Sequence, residues 1–464
     1  MIERRNRRYP VWLSGALCAL STSCASYQPS ALDTAPNLVQ DLRTVTVNPS
    51  RFALPELARY RFDASDGLDM TEVAMLAVAN NPDLKVARLD TRVTAAQAFS
   101  AGLLPDPQLA LSTDLSNSSG APDATRAFSA GLSFDFASLL THATLHTAAQ
   151  AEARKTDLNL LWQEWQVVAQ ARVLFVRLTQ GARLLALLQE NRVLFDDRYQ
   201  RTRRALELGL VTLDAVAPNL TALGDVEKQI NDLERQTNQN RHDLNALLGL
   251  SPELVVPLQG DATFASLDET ALRAELVTLT RRRPDLVALE AGYAAQDARY
   301  RGAILAQFPS LNIGFTRARD ASNVYSTALG ISLSLPIFNR NRGNIAIESA
   351  TRVKLHEEYQ QRINKGIGEV DRILREQAIN QRQLQQVELN VQALRAVADK
   401  AERAYRANNL DMLQFANLRA SLLSKQIEQA SLQQAMLEQR VALQALLGGE
   451  LPLVSNGAPT SSRQ

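Results

Sequence analysis

In two separate stretches the apolar positions of this chain switch from helical spacing to strict alternation and back. From Leu68 to Leu103 they recur with a helical period, interrupted near Asn80-Asn81-Pro82. Phe128, Ala130, Leu132, Phe134 and Phe136 then alternate with Ser129, Gly131, Ser133 and Asp135, a period-2 pattern with one apolar and one polar face. The partner strand expected over Gln108 to Leu115 puts Leu109, Leu111 and Leu115 on one side, across a polar loop from Ser116 to Asp123. The second stretch does the same: Leu311, Ile313 and Phe315, then Ile331, Leu333 and Leu335, with the loop read as Arg317 to Val324. Strands of about 8–11 residues are near the length that spans a bilayer when tilted. On pattern alone they equally fit a small soluble sheet laid on a core.

After each hairpin the pattern becomes a very long helix. From Leu139 to Leu208 there is no proline and only one glycine, Gly181. At 1.5 Å per residue that stretch reaches roughly 105 Å. From Asn344 to Ala407 the only glycines are Gly366 and Gly368, giving roughly 95 Å. A returning helix is expected after each, over Asp214 to Leu248 and Asp411 to Leu447. Leu384, Val387, Val391, Leu394, Ala398, Ala401 and Tyr405 are spaced as a heptad seam, with alanines that let backbones approach.

The two stretches are copies. Pro82-Asp83-Leu84 recurs as Pro284-Asp285-Leu286, and Pro107-Gln108-Leu109 answers Pro309-Ser310-Leu311, both at an offset of 202. Ala130-Gly131-Leu132-Ser133 answers Leu329-Gly330-Ile331-Ser332, and Ala246-Leu247-Leu248-Gly249 answers Ala445-Leu446-Leu447-Gly448, both at 199. Solenoid repeats run roughly 20–50 residues, so this is a duplicated structural half. The expected organisation is a signal peptide at 1–23, a segment at 24–67, a first repeat at 68–250, a linker at 251–269, a second repeat at 270–449 and a tail at 450–464. The fold class is mainly α with a small β part.

Net charge is +1, which gives no electrostatic case for nucleic acid, and aromatics are only 5% of residues. Arg4, Arg5, Arg7 and Arg8, the apolar run Val11 to Leu20 and small residues Ser21 to Ser23 read as a signal peptide, the apolar run being far short of a span of about 20 residues. Cys18 lies inside it, which leaves Cys24 at the expected mature N-terminus. That placement predicts lipidation, although Ser21 stands where a lipobox has leucine.

The sequence carries no P-loop, His-Glu-x-x-His, dinucleotide glycine motif or nucleophile elbow, so neither enzyme chemistry nor a cofactor is expected. His142 and His146 share a helix face, but no third ligand lies nearby in sequence and no metal site is assigned.

Leu335-Pro336-Ile337-Phe338-Asn339-Arg340-Asn341-Arg342-Gly343, the two Pro-Asp-Leu motifs and Ala246-Leu247-Leu248-Gly249 carry a resemblance. The chain resembles the TolC-like outer membrane efflux proteins, most of all their heavy-metal branch. The resemblance implies a homotrimer whose three chains share a 12-stranded outer-membrane barrel continued by a periplasmic helical tunnel. It implies a passive exit duct in outer-membrane lipid, opened by a periplasmic adaptor protein and an inner-membrane pump of the resistance-nodulation-division type. The segments 34–60, 251–267 and 451–464 would lie around the tunnel waist. The helix-to-helix turns would form the periplasmic tip that docks the adaptor: Gly209, Leu210, Val211 and Thr212 in one copy, Asn408, Asn409 and Leu410 in the other.

The turn residues are also good caps on their own terms. Gly209 and Asn408 fit a positive φ, Thr212 or Asp214 fits the next N-cap, and Pro218 falls in the first turns of the return helix. By resemblance, Tyr405 matches a tyrosine that bonds an acid of the first return helix and holds the gate shut, and Asp214 is the nearest acid. The family's paired gate acids align with Gln414 and Asn417, so the chain departs there, and Asp411 is the acid left to stand in. The other reading from the sequence is a structural or adhesive coiled-coil lipoprotein without a pore. Alternating hairpins at equal positions in both halves argue against it.

Overall fold

A computed structural model describes residues 27–114, 126–262 and 268–448. The chain divides into two units, Met1–Leu38 and Val39–Gln464. In the first, residues 27–38 contain no helix or strand. Cys24, Leu115, the loop 116–123 and the tail 450–464 lie outside the described residues.

The second unit is built from two copies of one plan. In the first copy α1 (Met70–Asn80) and α2 (Pro82–Gly102) lead to β1 (Gln108–Asp114) and β2 (Ala127–Asp135), then α3 (Phe136–Glu207) and α4 (Leu213–Leu247). In the second, short helical turns lead to α5 (Pro284–Leu305), β3 (Ser310–Arg319), β4 (Tyr325–Ser334), α6 (Arg342–Arg406) and α7 (Met412–Leu447). The 72 residues of α3 extend for about 108 Å and the 65 of α6 for about 98 Å. Each is flanked near the strands by a shorter helix and near its far end by its return helix. α3 is the central column, packed against α2, α4, α5 and α7.

Local signals fix the breaks. Asp69 starts α1 with a capping box, accepting from Thr71 N at 2.7 Å and Glu72 N at 2.8 Å while Glu72 accepts from Asp69 N at 2.9 Å. Pro82 ends that helix and opens the next, capped by Asn81 Oδ1 accepting from Leu84 N at 2.9 Å. Two cores follow the duplicated motifs. The larger joins Val73 to Val78, Leu84, Phe175, Leu244, Leu247, Leu248 and Leu250; the second joins Leu279, Leu286, Val370, Ile373, Leu443 and Leu447. The heptad seam is a third, where Val387, Val391 and Ala398 pack on Leu422 of the return helix.

The four strands form one antiparallel sheet in the order β1-β2-β3-β4. The register puts Leu109, Leu132, Phe315 and Leu329 in one cross-strand row, and Phe134, Ile313 and Ile331 in another on the same face. The opposite face is small and almost uncharged, with rows such as Ala110, Gly131, Thr316 and Ala328 or Ser112, Ser129, Ala318 and Ser326. Leu109, Phe315, Leu329 and Ile331 are all more than half exposed in the single chain.

Four sequence expectations shift. Alternation predicts Phe136 in the strand, but it begins α3, because Asp135 accepts from Ala137 N at 2.9 Å and turns the chain into a helix. Arg317 to Arg319, read as loop, continue β3, and the turn proper is Asp320 to Val324, tied by Asp320 accepting from Ser322 N and Val324 N. The return helix starts at Leu213, one residue before Asp214, and Thr212 occupies the N-cap position without a capping hydrogen bond. Pro218 is the sixth residue of that helix, so its missing N–H does remove an intrahelical bond.

Candidate periplasmic tip and gate

The two turns at the far end of the long helices are superposable in their bonding. Gly209 has φ 70°, with Gly209 N donating to Leu206 O at 2.9 Å and Leu210 N to Ala205 O at 2.8 Å. Asn408 has φ 57°, with Asn408 N donating to Tyr405 O at 3.0 Å and Asn409 N to Ala404 O at 2.8 Å. Both are Schellman terminations. Glycine meets this φ without strain and asparagine is the next most tolerant residue. Leu208, Leu210 and Leu213 stand on the first turn largely exposed, an unusual concentration of apolar surface. Val211 and Leu410 are half-buried, and Thr212 and Asn409 are exposed.

The expected gate residues do not all meet. Asp214 is exposed and accepts from the Thr212 hydroxyl at 3.4 Å. Tyr405 does not bond to it. Its ring lies flat on Phe415, centroids 5.0 Å apart and planes at 5°, which joins α6 to α7 within the second copy. Asp411 caps α7, accepting from Gln414 N at 3.0 Å, so part of its acceptor capacity is committed. Gln414 and Asn417 are exposed, and Asn417 Oδ1 accepts from Arg198 Nη1 of α3 at 2.7 Å.

That last bond belongs to a ladder between the long helix of one copy and the return helix of the other. Arg172 donates to Gln444 at 2.6 Å, Arg177 to Glu438 at 2.9 Å and Arg183 to Gln433 at 3.5 Å; Glu190 pairs with Arg419. Hydrogen bonding with Glu438 raises the Arg177 pKa, and burial lowers that of Arg198. Sequence reading missed the ladder because its partners lie 219 to 272 residues apart. The signal was present only as arginines recurring along α3, which alone do not name a partner.

At the strand end of α3, His142 and His146 stack at 6.2 Å, and His146 Nε2 lies 3.0 Å from Gln150 Nε2. Among the described residues no group of three His, Cys, Asp or Glu is placed to hold a metal ion. No helix among them is long and apolar enough to cross a membrane.

Two long helical hairpins joined to one four-stranded sheet with an apolar face make up this unit. The model for outer membrane efflux proteins matches residues 276–449. The pyoverdine export outer membrane protein OpmQ of Pseudomonas putida is 28% identical over 426 residues, covering 86% of this chain and 89% of the relative. Its counterpart in Pseudomonas aeruginosa is 29% identical over 445 residues, covering 86% and 92%. The Campylobacter jejuni CmeC outer membrane channel shares the fold, with a TM-score of 0.66 over 93% of this chain and 96% of that one at 14% identity. The second copy thus matches the outer membrane efflux protein model, and most of the chain is similar to outer membrane export proteins.

Proposed function

We propose that this chain is the outer-membrane channel of a tripartite efflux system. The observation that carries the reading is the sheet. Four strands with one continuous apolar face leave two open edges, β1 and β4, and open edges are not tolerated in lipid. Closure therefore needs further strands from other copies, and three chains would give 12, an even count within the range of outer-membrane barrels. The apolar rows would face lipid, and the small rows of serine, glycine, alanine and threonine would face a wide opening. The helices would continue that opening across the periplasm. Each duplicated copy then supplies one hairpin to the barrel and one helical hairpin to the tunnel.

On this reading the turns at Gly209–Thr212 and Asn408–Leu410 dock a periplasmic adaptor, whose apolar side chains would cover Leu208, Leu210 and Leu213. Tyr405, Asp411, Gln414, Asn417 and Asp214 line the level at which the tunnel closes, and an inner-membrane pump supplies the solute. Cys24 is the proposed lipid attachment point, testable by loss of an acyl-type mass adduct in Cys24→Ala. The two OpmQ relatives are named for pyoverdine export, and selectivity between metal cations and organic compounds belongs to the pump. A poreless adhesive stalk has no use for an apolar-faced sheet at one end. Reconstitution in planar bilayers decides the matter: discrete conductance steps are expected, and silence from both the native protein and tip variants would rule the channel out.

A further inference from the structure

On the same face as the apolar rows, β3 ends in two arginines. Leu311, Ile313, Phe315, Arg317 and Arg319 are in phase, and all five belong to the strand. Arg317 pairs across the sheet with Ala130 and Thr327, and Arg319 with Phe128 and Tyr325. Arg317, Phe128 and Tyr325 are exposed in the single chain. The ten residues of β3 run about 33 Å, or about 25 Å of membrane height at the usual tilt, which matches the apolar band of such barrels. β3 begins next to the helices, so its arginines sit at the opposite, outer end. An arginine on the lipid face is costly at the midplane and nearly free at the interface, where aromatic residues also gather.

Among the described residues no carboxylate pairs with either arginine. Asp320, the nearest acid in sequence, is drawn into the turn, its Oδ1 accepting from Ser322 N at 2.8 Å and Val324 N at 2.9 Å. Arg319 Nη2 donates to the carbonyl of Arg126 at 2.8 Å, which fixes its guanidinium across the β2–β3 seam, while its Nε lacks a partner. A planar fork held at an interface, beside a second cation, is complementary to phosphate oxygens.

We infer that Arg317 and Arg319 bind the phosphate groups of a glycolipid in the outer leaflet of the outer membrane. The inference rests on the channel reading, which sets the depth and face of these residues. Full-length protein in detergent is titrated with lipid A and with lipid A stripped of its phosphates. Native protein should prefer the phosphorylated form, and R317Q/R319Q should weaken its binding by roughly tenfold or more while leaving the stripped form unchanged. R317K/R319K should retain part of the preference, since ammonium groups bind phosphate as point charges. A glutamine pair that binds both lipids as the native protein does overturns the assignment. Equal native binding to phosphatidylglycerol vesicles also overturns it, by reducing the effect to bulk surface charge. Planar-bilayer conductance is recorded on the same preparations. Loss of conductance in the native protein would indict the channel reading, whereas intact conductance with no lipid preference would indict this inference alone. If the double variant does not accumulate, single R317Q carries the test, with a smaller loss expected and no loss refuting it.

Discussion

The side-chain amide of Asn81 donates to the backbone carbonyl of Leu247 at 2.9 Å, across 166 residues of chain. This bond joins the two motifs that reveal the duplication, the start of the Pro-Asp-Leu helix and the end of the Ala-Leu-Leu-Gly helix. Asn80 reinforces it by donating to Leu248 O at 2.6 Å, so close that a Cβ on Gly249 would lie 2.9 Å from Asn80. In the second copy Arg283 stands at the matching position and the junction is made by backbone approach: a Cβ on Gly448 would lie 3.1 Å from Arg282 O. Arg283 turns instead to Asp285, 2.8 and 2.6 Å away, and to the face of Trp162 at 5.0 Å.

Asn81 therefore does two jobs, capping α2 and anchoring α4. Asn81→Ala is expected to destabilise the protein by about 2 kcal/mol, a cap plus a buried bond. Asn81→Asp keeps the cap acceptor but turns a buried carboxylate toward a carbonyl, and should cost more. Thermal unfolding of the detergent-solubilised protein ranks the two. Equal stability of Asn81→Ala and the native protein would refute the anchor.

At the tip, Gly209→Ala should cost about 1 kcal/mol because φ 70° strains any residue with a Cβ, although open space surrounds the position. Asn408→Gly should be close to neutral, and Asn408→Val clearly worse than either. The same unfolding assay reads the order. If Gly209→Ala is silent, the turn relaxes and its geometry is not essential.

Arg198 and Asn417 tie α3 to α7 near the closing level of the proposed tunnel. Arg198→Ala removes one net hydrogen bond of about 1 kcal/mol, which should raise the open population about fivefold. Single-channel recordings should show more frequent or larger openings. Unchanged recordings, with the protein folded, would exclude the bond from gating.

Tyr60 donates its hydroxyl to Asp69, and with that carboxylate beside it the phenol pKa is pushed up to about 12. The folded value lies above the ordinary value near 10, so the stabilisation is fully present below pH 10. It is lost as pH rises through about 12. Ultraviolet titration of the native protein against Tyr60→Phe should assign one tyrosine to that late step. A difference step near pH 10 would contradict the contact.

Much of this protein is written in local pattern. Alternation placed all four strands, the absence of proline placed α3 and α6, and Gly209 and Asn408 marked both tips, because helix termination and pleating depend on neighbours within a few residues. Asn81 shows in the sequence only as a break before Pro82, and alternation extends the strand to Phe136 although Asp135 converts that run into a helix start. The cross-copy partners were not legible. Asn81 with Leu247, Arg198 with Asn417 and Glu190 with Arg419 meet only because two copies fold beside one another. A hydrogen bond between residues far apart in chain leaves no period to detect. Tyr405 shows the same limit: the resemblance pairs it with an acid of the first return helix, whereas within the chain its ring lies on Phe415 of α7. The sequence alone determined the kind and approximate extent of the strands and long helices, because those follow from short-range sterics and apolar periodicity. Tertiary structure decided which helices are neighbours and which polar groups pair, because those depend on where the sheet brings the two copies together.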